Sequence, residues 1–205
     1  MTTKLINKAH SKEISIRYSL MAFIFWVLTL CWIAVIFHLS AETDIESSNL
    51  SASILMFINE ICNTNFTDDS LLRMVAHSSE FALLTILTYM ALSSTNKISN
   101  KTSYSESPVK LMRSDNEMNI IFTLWFTILN AIFDEYHQLF VTGRDGSIFD
   151  VMIDMIGIVI VLIIIRVAFT IYLKSKGRTE VVYTWPQIQI IPILPLYVFR
   201  IILYI

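Results

Sequence analysis

The sequence predicts an all-α membrane protein: a compact bundle of four transmembrane helices, an outer amphipathic helix, and an apolar C-terminal segment. Three observations carry this. Of the 205 residues, 55% are apolar and 16% charged, against roughly 25% charged in soluble domains; a soluble core of this length could not bury so much hydrocarbon. The apolar residues gather in runs of the length needed to cross a bilayer. Lys and Arg alternate between sparse and frequent from one loop to the next, as in multi-pass chains.

The expected organisation is a basic arm over 1–17, a transmembrane domain over 18–173, and a basic linker with an apolar tail over 174–205. The first span, 18–39, is "YSLMAFIFWVLTLCWIAVIFHL". No A-x-A-like cleavage site follows it, so it is read as an uncleaved span rather than a signal peptide. The second span, 75–92, carries His77 and Glu80 near its start. The third covers 118–140. The fourth, 148–173, begins with Asp150 and Asp154 and contains Gly157, a residue that permits close helix contact. The tail is interrupted by Pro186, Pro192 and Pro195, which argue against a straight helix. It reads equally as a fifth span or an interfacial segment.

Between the first two spans, Leu50, Ile54, Phe57, Ile58 and Ile61 recur at helical spacing, which predicts an amphipathic helix on the outer surface. The Ser-, Asn- and Lys-rich stretch from Ser93 to Glu117 reads as a flexible loop.

Orientation follows from the bases. Lys4, Lys8, Lys12 and Arg17 precede the first span; Lys97, Lys101, Lys110 and Arg113 lie between the second and third; Lys174, Lys176 and Arg178 follow the fourth. The other two connections carry only Arg73 and Arg144. The chain is therefore expected to be multi-pass, with its N-terminus cytoplasmic.

That topology gathers the ionisable groups at one level. His77 and Glu80 lie at the outer start of span two, Asp134, Glu135 and Gln138 at the outer end of span three, and Asp150 and Asp154 at the outer start of span four. Within each pair (77/80, 134/138, 150/154) the spacing puts both residues on one helix face. The bundle interior is the affordable place for such a face. Glu135 points elsewhere by the same spacing, toward water or Arg73, while Asp44 and Asp145 read as solvated surface charges. "VTGRDGS" reads as a tight turn, with Gly143 and Gly146 free to take positive φ. The turn holds Arg144 over the polar layer, where a guanidinium suits a carboxylate or phosphate. The candidate ligand-binding residues are Arg144, His77, Glu80, Asp134, Gln138, Asp150, Asp154 and Arg73.

Composition limits the partners. A net charge of −2 gives no electrostatic case for nucleic acid. Cys31 and Cys62 suggest neither a disulfide framework nor a metal knuckle. His137 reads as an interfacial residue, and no spacing demands a metal or other cofactor.

"LLRMVAHSSEFALL" and "FDEYHQLFVTGRDGSIFDVMIDMIG", in that order, resemble the VanZ-like family of bacterial membrane proteins. The resembling positions are Arg73, Ala76-His77, Glu80-Phe81, Asp134-Glu135, Gln138, Gly143-Arg144, Asp150 and Gly157, and "FHLSAETDIESSNLS" adds to them. The sequence departs from the family pattern at Asp154, where Asn is expected, at Met74, where a second base is common, and at Thr142, where Pro often stands. The resemblance implies lowered susceptibility to lipoglycopeptide antibiotics such as teicoplanin.

Three function classes follow. The first is a binding or resistance protein whose outer pocket engages an anionic lipid, a cell-wall precursor or the glycopeptide antibiotic. The second is a membrane enzyme acting on a lipid-linked substrate, with Glu80 or Asp134 as acid or base, His77 as proton shuttle and Arg144 on a phosphate. The third, a transporter, is weakest, because the sequence has no internal repeat. The first is preferred, because no nucleophile motif is visible.

Overall fold

The computed structural model of the chain describes residues 16–63, 65, 68–98 and 108–175. Most of the basic arm and nearly all of the C-terminal segment, with its alternative of fifth span or interfacial helix, lie outside the described residues. The chain divides into two compact units, Met1–Thr170 and Ile171–Ile205; of the second, the described part is the last turn of a helix.

Five helices follow in order: α1 (Ile16–Ser40), α2 (Asp44–Cys62), α3 (Ser70–Asn96), α4 (Pro108–Gln138) and α5 (Ile148–Ser175). All regular structure among the described residues is helical. Among the described residues three helices, α1, α3 and α5, are long and apolar enough to cross a membrane.

α4 is not among those three, and the reason lies in how it distributes its polarity. It has 31 residues, about 46 Å of helix. Asn116, Asn119, Thr123, Thr127, Asp134 and Gln138 on it are buried, whereas Met118, Phe122, Leu129 and Phe133 are exposed. It turns its polar stripe inward and its apolar stripe outward. Thr85 and Thr88 of α3 are fully buried as well. Much of this polarity is satisfied locally: Thr85 donates to the Phe81 carbonyl and Thr127 to the Thr123 carbonyl. Asn96 donates to Asn119 at 2.7 Å, and the Tyr89 hydroxyl donates to Asn116.

One apolar cluster, containing Ile36, Phe81, Leu84, Ala131, Ile158 and Leu162, draws on α1, α3, α4 and α5. Two tryptophans lock α1 to α3: Trp32 Nε1 donates to the Glu80 carbonyl at 3.0 Å, and Trp26 Nε1 to Thr95 at 3.1 Å. α3 and α5 meet at Gly157, where an added Cβ would stand 2.0 Å from the Ser78 carbonyl oxygen.

α2 begins with a capping box. Thr43 Oγ1 accepts from the Glu46 N–H, and Glu46 Oε2 accepts from the Thr43 N–H at 2.9 Å. That backbone hydrogen bond holds the Glu46 carboxyl below the usual carboxylate range, because it favours the charged form. The Ser70 N–H does the same for Asp68 ahead of α3. None of the α2 residues is fully buried. Leu50, Ile54, Phe57 and Ile61 are exposed, and Ile58 is half-buried; the protein leaves the predicted apolar stripe largely uncovered. Arg73 ties α2 to the start of α3. Its Nη2 donates to Ser48 at 2.6 Å, its Nε donates to Asp69 at 3.2 Å, and Nη1 lies 3.7 Å from Asp44.

Three expectations are corrected here. The stretch from Ser93 to Glu117 is not one loop: α3 continues to Asn96 and α4 starts at Pro108, a residue well suited to a first helical position. The polar composition marks where an apolar run stops, not where the helix stops. α4 ends at Gln138 rather than Phe140, in a turn where the Phe140 N–H bonds the His137 carbonyl. Gly143 takes positive φ, at +81°, but Gly146 does not. Gly146 serves a close approach instead: an added Cβ would stand 2.5 Å from the Glu135 carbonyl oxygen.

Candidate functional site

A cavity of about 550 Å³ opens at the end of the bundle where α1 and α4 finish and α3 and α5 begin. Each element brings something different to its wall. α1 supplies Ile36, Leu39 and Ser40. α2 lies along one side with Ser47, Leu50, Ser51 and Ile54. α3 contributes Arg73, Met74, His77 and Glu80; α4 contributes Asp134 and Gln138; the turn contributes Gly143, Arg144 and Asp145; and α5 contributes Asp150.

Seven of the eight candidate residues therefore face one space: Arg73, His77, Glu80, Asp134, Gln138, Arg144 and Asp150. Asp154 does not line it. Four residues along α5 from Asp150, Asp154 is fully buried, and neither of its carboxyl oxygens has a hydrogen-bond partner. The spacing puts both on one face of α5, yet one turn further along Asp154 is buried rather than part of the lining.

Glu135 is a correction. It faces neither water nor Arg73 but is buried, at 5% exposure. Its Oε2 accepts from the Ser147 N–H at 2.8 Å, and its Oε1 accepts from Gln138 at 3.2 Å. It thus fixes the residue just before α5, where a helix start leaves backbone N–H groups unpaired. Gln138 also donates to Asp134 at 3.2 Å, so one amide bridges both carboxyls. Adjacent residues on a helix differ by about 100° of arc, and α4 is enclosed over a wide enough arc for both to be inside.

The two arginines differ in what holds them. Arg73 is occupied by Asp69, Ser48 and Asp44, so its part in the cavity wall is structural. Asp44 is consequently an ion-pair partner rather than a purely solvated charge. Arg144 is half-buried and makes no ion pair with any described residue. It is the cation in the wall still able to take an anion.

Polar groups of the wall also lack a full set of partners: His77 Nδ1 has none, and the Asp134 carboxyl has Gln138 and the neighbouring Ser40 hydroxyl. Such groups are costly inside a protein unless something completes them. His137 lies edge-on to Phe37, with ring centroids 5.8 Å apart. No group of three or more His, Cys, Asp or Glu among the described residues is arranged to hold a metal ion. Cys31 and Cys62 are both free and exposed.

A family model, VanZ/LLP1, matches residues 25–171. The chain belongs to the VanZ/LLP1 family. The matched stretch runs from the middle of α1 to near the end of α5 and includes the whole cavity. No curated protein and no solved structure matches the chain. Within this VanZ/LLP1 protein, the motif blocks noted in the sequence meet in space: the first supplies Arg73, His77 and Glu80 from α3, and the second supplies Asp134, Gln138, Arg144 and Asp150. With three helices fit to cross a bilayer, the chain is a helical membrane protein of this family.

The residues that sequence reasoning did not place are Ser40, Ser47 and Ser51. A signal existed in the quoted serine-rich segment after the first span, but helical periodicity alone gave it no partner.

Proposed function

We propose that this VanZ/LLP1 protein binds the polar head of an amphiphile in an extracytoplasmic pocket centred on Arg144, and thereby lowers susceptibility to lipoglycopeptides of the teicoplanin type. In this reading α4 also crosses, as the third of four spans, the N-terminus is cytoplasmic in a bacterial cytoplasmic membrane, and α2 lies along the outer surface.

The inward polar stripe and outward apolar stripe of α4 support its place as a crossing, since a helix enclosed by neighbours can carry polar residues through a bilayer when they face inward. The distribution of Lys and Arg supports the orientation. The uncovered apolar stripe of α2 supports its place at the interface. The observation that carries the pocket reading is Arg144, in no ion pair with any described residue, in a cavity that also presents Leu39, Leu50, Ile54 and Met74. A free guanidinium beside an apolar wall suits an anionic head group carrying a hydrocarbon tail.

The test is drug susceptibility in a sensitive Gram-positive host, with teicoplanin and vancomycin compared for empty vector, wild type and Arg144→Ala at matched membrane levels. The expected result is several-fold protection by wild type, selective for teicoplanin and lost in the mutant. No protection by well-expressed wild type would sink the resistance assignment; protection that survives Arg144→Ala would remove the pocket from it.

A further inference from the structure

The cavity wall is unbalanced in charge. Glu42, Asp44, Glu80, Asp134, Asp145 and Asp150 line it, against Arg73 and Arg144, and Arg73 is already held by Asp69 and Asp44. A ligand bearing only negative charge would satisfy Arg144 while bringing its charge among carboxyl groups, at a cost that grows as water is excluded. The buried polar groups sharpen the point. Asp134 is 2% exposed and Ser40 4% exposed; the Asp134 carboxyl accepts from Gln138 and lies against the Ser40 hydroxyl, while His77 Nδ1 in the wall and both oxygens of the buried Asp154 have no hydrogen-bond partner. A carboxyl group offers at least one acceptor oxygen in either protonation state, so the Asp134 and Glu80 carboxyls can take further donors from a ligand.

We propose that the ligand is zwitterionic: its phosphate or carboxylate rests on Arg144, and a primary ammonium reaches the Asp134–Glu80 end of the cavity. A quaternary ammonium does not fit, because it has no N–H to donate and is ordinarily held by aromatic faces, whereas Phe, Tyr and Trp are absent from the described lining. A glycerol head would supply hydroxyl donors but no positive charge for the surplus carboxyls. This inference rests on the pocket reading above and narrows it to one head-group chemistry, that of an amine-bearing phospho-amphiphile.

The test uses the purified full-length chain in detergent. Binding is measured for three lysophospholipids of one chain length, with ethanolamine, choline and glycerol heads, and for phosphoethanolamine without a tail. The expected result is a preference of about tenfold or more for the ethanolamine head over both others, in line with one charge-assisted hydrogen bond gained. Asp134→Asn, close to isosteric, should lower the ratio of ethanolamine-head to glycerol-head affinity; an unchanged ratio would overturn the ammonium at this end. Equal binding of ethanolamine and glycerol heads, both weakened by Arg144→Ala, would overturn the ammonium while leaving the pocket reading standing. No binding of any lysolipid or of phosphoethanolamine would sink both. Tail-less phosphoethanolamine binding as tightly as its lysolipid would support the ammonium but assign it to a soluble source.

Discussion

Gly157→Ala is expected to destabilise the bundle more than any other single-methyl addition at a described position. The new Cβ would stand 2.0 Å from the Ser78 carbonyl oxygen and 2.9 Å from both Ser78 C and Ser78 Oγ. The nearest atom belongs to backbone, so no rotamer change relieves it, and Ser78→Ala will not rescue the variant. α3 and α5 must move apart, loosening Phe81 against Ile158 and Leu162 in the shared core. Overpacking usually costs about 1–3 kcal/mol, and a clash with a rigid helix backbone belongs at or above the top of that range. The check is thermal unfolding in detergent, followed by loss of the monodisperse peak. A Gly157→Ala protein with wild-type stability would mean that the two helices do not approach this closely.

The second large effect is expected at Gly146. An added Cβ there would stand 2.5 Å from the Glu135 carbonyl oxygen and 3.0 Å from the Leu139 side chain. Leu139 can yield, but the carbonyl cannot. The turn must lift from the end of α4, stretching the Ser147 N–H bond to Glu135, which is 2.8 Å in the native chain. Arg144 lies two residues earlier and should move with it. Gly146→Ala is therefore expected to lose ligand binding together with about 1–3 kcal/mol of stability. Gly143→Ala is the useful comparison: its Cβ would meet Asp44 Cβ at an ordinary 3.5 Å. Only the positive φ is then strained, at roughly 1–2 kcal/mol. Parallel binding and melting curves check this, and equal effects of the two substitutions would argue against the close approach at Gly146.

Much of this site was readable before the fold, for identifiable reasons. α1 is free of Asp, Glu, Lys and Arg after Arg17, and α5 has an unbroken apolar stretch between Asp154 and Arg166, so hydropathy alone marks them. The i, i+3 and i, i+4 spacings of His77 with Glu80 and of Asp134 with Gln138 brought those pairs to one cavity, because a polar face in a membrane helix has little choice but to turn inward. The same logic failed for Glu135. It assumed a narrow inward arc, whereas α4 is covered by neighbours on a broad one. Depth was also illegible: Asp150 and Asp154 share a face, yet one lines the cavity and the other is buried outside the lining. The turn singled out Arg144 in the sequence, but only the position of α2 shows that Asp44 and Ser48 consume Arg73. On α4 the inward Asn and Thr residues dilute the hydropathy by which an apolar helix is recognised.

The central claim is that the space around Arg144 holds the head of an amphiphile. A lysophospholipid with a diazirine near the head of its chain, photolysed with the purified protein and mapped by mass spectrometry, tests it most directly. The account predicts labels concentrated on Leu50, Ile54 and Met74, and their loss in Arg144→Ala. Labels spread evenly over the exposed apolar faces of α1 and α5, and indifferent to Arg144, would contradict it.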